Sequence, residues 1–323
     1  MQGVDEPMTD LKFGAVLWSQ ATDWSGFLSA AQRADDLGFD SIWTWDHLYA
    51  IFGEPHQPIV EGYTALAGLA LGTTRADIGL LVGANTFRNP ALVAKSVITI
   101  DHMSGGRVVL GLGGAWFELE HTAFGIDFGS GFGQRLDWLD EATAAIRDLL
   151  DGRSVTSGDD ATYEFRDLVL TPGPSQDHLP IMIGGSGEKK TLRTVARFAD
   201  QWNAFGTPET LAHKDGVLRA HCADVGRDES EIERTVGAKI VIRDSEEQAK
   251  RALEDLMEHN QTPMTNIADD HTFWIGTAEQ IAEKMVGYRQ VGFHTFLVEM
   301  PAPYDQETME ALIEQVKPAV AAS

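Results

Sequence analysis

Cysteine is almost missing from this chain. A single one, Cys222, stands among 323 residues. No internal disulfide can form, and nothing nearby has the spacing of a metal-ligand cluster. A free cysteine mostly behaves as a small hydrophobe, and Cys222 reads as an ordinary helix residue. Apolar runs long enough to span a bilayer are missing too. Residues Met1 to Asp10 are polar and acidic and lack the basic region and apolar core of a signal peptide. They read as a frayed tail, and a cytoplasmic protein is the expectation. Basic residues are scarce: 25 Lys and Arg face 49 Asp and Glu, a formal net charge of −24. Such a field repels nucleic acid and anionic membranes. Solubility and a salt-rich habitat both account for it, and it makes any local basic cluster more informative.

Low-complexity stretches, Pro-rich linkers and composition breaks are absent as well, so residues 11–323 read as one domain. What recurs is a strand followed by a helix. Lys12 to Trp18 reads as a buried strand, and Trp24, Phe27, Leu28, Ala31, Ala34 and Leu37 follow at helical spacing, stopped by Gly38. Further strands are predicted at 39–45, 77–82, 107–112, 180–183, 201–205, 235–242 and 293–299. Helices are predicted at 63–71, from Pro90 to the Gly105-Gly106 stop, and at 135–150, 190–198, 208–224, 245–258 and 306–320. Residues 153–170 read as an extended, hairpin-like excursion after the fourth helix. Parallel strands need helical crossovers. Eight such units predict an α/β fold closed as a (β/α)8 TIM barrel. An open dinucleotide-binding sheet would carry G-x-G-x-x-G after its first strand. Here that strand runs into Trp18-Ser19-Gln20.

A barrel of this kind places its chemistry at the C-terminal ends of its strands. Strand two ends in Asp46-His47, a pair that either holds and protonates a ligand or braces loop backbone. Strand three ends in Gly83-Ala84-Asn85, which reads as a tight loop or a close backbone approach to a ligand. Strand four ends in Gly113-Gly114-Ala115-Trp116, small residues beside a possible aromatic wall. Glu118 and His121 follow at i, i+3, too few ligands for a metal site. Strand five ends in Gly184-Gly185-Ser186-Gly187, with Lys189, Lys190 and Arg193 beyond. Glycines at a helix N-terminus expose N–H groups, and the helix dipole favours an anion there. This is the strongest local signal, and it reads as a phosphate cradle. It is not a Walker A loop. Eight tryptophans, among them Trp18, Trp43, Trp45, Trp116 and Trp202 near strand ends, suit a flat ligand or a packed core equally.

Several segments in this order resemble the bacterial-luciferase-like monooxygenase superfamily, specifically its F420-dependent oxidoreductase branch. They are Ala34 to Asp40, Trp45-Asp46-His47, Gly83 to Pro90, Ser104 to Arg107, Gly111 to Glu118 with His121, Ile183 to Arg193, and Ala199 to Asn203. The resemblance runs from about residue 12 to 300. It implies a TIM barrel binding the deazaflavin F420, with FMN as the alternative. Asp46 would contact the ring system and His47 would be the general acid/base. Ala84 and Asn85 would sit at a bulge behind the ring, often a non-proline cis peptide. Gly114 and Ala115 would line the ring edge. Gly184, Gly185, Ser186 and Gly187, with Lys190, would hold the phosphate. Trp18, Trp116, Glu118 and His121 are candidates for the substrate pocket. Sugar-phosphate dehydrogenases of the branch carry a catalytic glutamate where Trp116 falls, which points to a small hydrophobic or aromatic substrate instead. A homodimer is implied too. Competing readings are an FMN-dependent monooxygenase, an inert flavin-binding protein, and a barrel aldolase or isomerase, for which no strand-end Schiff-base lysine or metal triad is evident.

Overall fold

The computed structural model describes residues 11–267 and 270–323, so the tail expected at residues 1–10 lies outside the described residues. In chain order the elements are β1 (Lys12–Leu17), α1 (Trp24–Leu37), β2 (Ser41–Thr44), α2 (Gly62–Gly72), β3 (Asp77–Leu80), β4 (Gly83–Ala84), α3 (Pro90–Ser104), β5 (Val108–Gly113), α4 (Glu118–Phe124), α5 (Phe132–Leu150), β6 (Ile181–Gly184), α6 (Thr191–Phe198), β7 (Gln201–Ala204), α7 (Pro208–Val225), β8 (Glu233–Ile242), α8 (Glu246–His259), β9 (Phe273–Gly276), α9 (Ala278–Arg289), β10 (Thr295–Met300), α10 (Gln306–Ala311) and α11 (Lys317–Ala321). All strand pairings between these elements are parallel, and β10 pairs with both β1 and β8, which closes the barrel. The fold is a (β/α)8 barrel.

The helix signals act through identifiable caps. Asp23 accepts a hydrogen bond from the Gly26 N–H to start α1, and Gly38, at φ +98°, ends it. Asn89 caps α3 with Pro90 in its first turn, where a missing N–H costs nothing. Three features were not predicted, the first being the helix α9 between β9 and β10. The third strand breaks after Leu80, and the chain pairs with β5 again only as β4. The short β9 pairs with the outer half of β8, beyond its contact with β10. Four residues are too few to carry a periodic signal. Between α5 and β6 the chain folds back through one antiparallel bridge, Val155 to Leu168.

The core has two layers. Phe13, Ile42, Ile78, Leu110, Ile183 and Val236 face the helices. Val16, Trp18, Trp43, Trp45, Met182 and Leu297 fill the barrel interior. The alternation follows from strand geometry, in which neighbouring side chains point to opposite faces. Trp43 needs two glycines: a Cβ on Gly79 would lie 2.3 Å from its ring, and one on Gly14 would lie 3.0 Å from its Nε1. Burying a side chain of this size stabilises the fold by roughly 2–3 kcal/mol. The tryptophan enrichment is therefore mostly packing, since Trp18, Trp43, Trp45 and Trp202 are all buried.

Candidate active site

A cleft of about 270 Å³ opens over the C-terminal ends of β2 through β7. Its floor includes the cis Leu81–Val82 peptide that separates β3 from β4. The bulge expected at Ala84 and Asn85 thus carries its cis bond two residues before Ala84. Val82 points inward, and a Cβ on Gly113 or Gly184 would lie 2.6 or 2.8 Å from its Cγ2. Those two glycines make room for Val82. Gly114 and Ala115 line one side of the cleft. Ala115 holds a left-handed φ of +58°, unusual for a residue with a Cβ. The mouth is walled by Trp116, Phe132 and Phe205, all exposed.

Asp46 lies on the cleft, yet its carboxylate is already engaged. Arg88 donates to both oxygens at 2.7 and 2.9 Å, and the Ala84 N–H donates at 2.9 Å. Arg88 also pairs with Glu61, the N-cap of α2, and lies 4.6 Å from the centre of the Tyr63 ring. Burial pushes the Asp46 carboxyl above its ordinary range, and the Arg88 guanidinium is the main influence opposing that rise. The carboxylate fixes the turn that carries Ala84 and His47.

His47 turns its ring into the cleft with Nδ1 2.9 Å from the Glu120 carboxylate. Three aromatic rings surround it edge-on, Trp45 at 6.2 Å, Trp116 at 5.6 Å and Phe117 at 6.1 Å. The second oxygen of Glu120 accepts the backbone N–H groups of Leu48 at 2.8 Å and Tyr49 at 3.4 Å. Sequence reasoning missed Glu120 and chose its neighbours Glu118 and His121. Residues two apart on a helix point about 200° from each other. Glu118 is exposed and does not line the cleft, whereas Glu120 is buried against it. Only the direction of α4 decides between them.

Other candidates lie elsewhere. His121 is fully buried, with Nδ1 on the Phe117 carbonyl at 2.8 Å and Nε2 on the Thr86 hydroxyl at 2.7 Å, so both nitrogens are consumed. Trp18 is not a pocket wall. It stacks on Phe52 inside the barrel and donates its N–H to Glu299 at 2.9 Å. Asn85 turns away from the cleft and donates to the Tyr163 hydroxyl at 3.0 Å. Lys190 points back to α5, bound to the Gly133 carbonyl at 2.9 Å and paired with Asp137 at 2.7 Å. Its charge is neutralised away from the glycine turn. Gly184 and Gly185 do line the cleft, and Ser186 and Gly187 continue the turn toward the start of α6. Gly185 holds φ +117°, a conformation that a side chain would strain. Among the described residues no group of three or more His, Cys, Asp or Glu is arranged to hold a metal. No helix of the described residues is long and apolar enough to cross a membrane.

A closed parallel barrel with a cleft over its strand ends has the layout in which (β/α)8 barrels carry their sites. The chain belongs to the luciferase-like monooxygenase family, whose profile matches residues 11–295. It is 31% identical over 204 residues to pyrimidine monooxygenase RutA of Stutzerimonas stutzeri, covering 61% of this chain and 55% of that protein. RutA of Rhizobium rhizogenes is also 31% identical, over 68% of this chain and 60% of its own length. The chain thus spans less than two thirds of these relatives. Among solved structures it resembles an F420-dependent secondary alcohol dehydrogenase bound to an F420–acetone adduct (TM-score 0.82, 21% identity, 97% of this chain and 99% of that one). It also resembles a riboflavin lyase with modified FMN (TM-score 0.79, 16% identity, 97% and 92%). At these identities the likeness concerns the fold.

Proposed function

We propose that the protein is an F420-dependent oxidoreductase that transfers hydride between the deazaflavin and a small hydrophobic or aromatic substrate. One observation carries this reading: His47 and the Gly184–Gly185 turn line the same cleft, so one flat, phosphorylated ligand can bridge them. The residues fit such a ligand. Apolar and small side chains make up most of the lining, which suits an uncharged ring. The charges on the walls are internally paired, Asp46 with Arg88 and Glu120 with the His47 loop. In the turn before α6 the Gly185 N–H is spent on the Asn203 carbonyl at 2.9 Å and the Leu192 N–H on the Gly187 carbonyl at 3.0 Å, which leaves the Ser186 and Gly187 amides to meet an anion. Ser186 and Gly187 would hold the phosphate there, with Gly184 and Gly185 shaping the turn, while Asp46, Ala84, Gly114 and Ala115 would border the ring.

F420 supplies a two-electron hydride carrier with little oxygen reactivity. The chain supplies position and proton handling. His47 takes or returns the proton that balances the hydride at the substrate. Trp116, Phe132 and Phe205 at the mouth stack an aromatic or apolar substrate and exclude water. The identity to pyrimidine monooxygenases favours a second reading, an FMN-dependent monooxygenase working in the same cleft. Parallel fluorescence titrations with F420 and FMN separate the two. The F420 reading expects at least a tenfold preference for the deazaflavin, about 1.4 kcal/mol. Tighter binding of FMN would overturn it.

A further inference from the structure

Glu120 is buried in the cleft wall, yet all of its hydrogen bonds go to the His47–Tyr49 loop. We propose that Glu120 is a positioning residue that selects the tautomer of His47, keeping the ring hydrogen on Nδ1 and offering Nε2 to the cleft. Backbone N–H groups can only donate, and two of them converge on Oε2. A carboxylate is acceptor-only, so in the 2.9 Å contact between Oε1 and Nδ1 the hydrogen belongs to nitrogen. In a neutral imidazole that leaves the lone pair on Nε2. Trp45, Trp116 and Phe117 limit rotation of the ring from three sides. The same carboxylate stabilises the imidazolium formed when Nε2 takes a proton, and the Leu48 and Tyr49 amides lock the carboxylate in turn.

Burial of Glu120 in a helix of only seven residues suits this task. Its α4 neighbour His121 is tied to the Thr86 hydroxyl outside the helix, which fixes the rotation of α4 about its axis. The catalytic consequence rests on the cleft reading above; the tautomer does not.

Long-range 15N–1H correlation spectra of the full-length protein, with the His47 signals identified by their loss in His47→Gln, test the inference directly. Wild type is expected to show neutral His47 protonated on Nδ1. In Glu120→Gln the side-chain oxygen stays with the Leu48 and Tyr49 amides, which turns the NH2 group toward Nδ1 and moves the hydrogen to Nε2. The tautomer ratio should reverse by about tenfold or more. An unchanged ratio in that variant, or a wild-type ring protonated on Nε2, overturns the proposal. Should Glu120→Gln not fold, the wild-type spectrum alone still decides. A reversed tautomer together with full turnover in a His47 variant would instead sink the catalytic reading of the cleft and leave this inference standing.

Discussion

Replacing Arg88 with methionine removes the cation bound to both oxygens of Asp46 while keeping most of the buried stem. The Asp46 side chain has no solvent exposure, and Arg88 is only 17% exposed. Taking one partner from a buried pair typically costs about 3–5 kcal/mol, because the other charge is stranded. For a chain of 323 residues, an unfolding entropy of about 2.1 cal/mol/K per residue makes 1 kcal/mol worth about 1.5 °C, so a drop of about 4–7 °C is expected. The pH dependence is the sharper signature. Burial already raises the Asp46 carboxyl, and loss of Arg88 removes the largest opposing influence. The folded variant then binds the Asp46 proton more tightly than the unfolded chain does, so its stability falls as pH rises. The deficit against wild type is smallest near the unfolded aspartate value of about 4 and grows toward neutral pH. Adding Asp46→Asn should recover much of the loss and flatten the profile. Urea melts of the three proteins between pH 4.5 and 8 check this. A deficit independent of pH, or one largest in acid, would refute the claim that Arg88 acts by neutralising Asp46.

His47→Ala should leave F420 affinity within about threefold and lower turnover by roughly 10²–10⁴, the usual worth of a positioned proton carrier; unchanged turnover would remove His47 from the mechanism. Asp35 presents the opposite pH sign. Burial raises its carboxyl, but hydrogen bonds from Ala76, Thr74 and Arg75 outweigh that and hold it below its ordinary range. Its stabilising effect is thus complete above the unfolded aspartate value of about 4 and is lost as pH falls through the lower folded value. Asp35→Asn should cost about 1–3 kcal/mol at pH 7, and the gap to wild type should narrow below about pH 4 in denaturant melts.

Much of the architecture is legible from local chemistry. Period-two and period-3.6 apolar patterns, the Asp23 and Asn89 caps and the Gly38 and Gly105 stops all act over a few residues, so strand and helix order follows from neighbouring side chains. That the glycine turn after β6 and the Asp46-His47 pair stand at strand ends is local for the same reason, and both line the cleft. Long-range decisions were not. Arg88 meets Asp46 across 42 positions and Glu120 meets His47 across 73, and no local pattern encodes which acidic residue of α4 faces inward. The opposite assignments of His121 and Glu120 come from the rotation of one short helix. Trp18 passed for a ligand wall because a strand-end tryptophan looks alike on either side of the barrel mouth. The sequence by itself determined the barrel and which segments stand at its strand ends, since these depend on periodicity and turn stereochemistry. Only the tertiary structure decided which polar atoms are spent on each other and which still face the cleft, because that depends on three-dimensional contacts between distant segments.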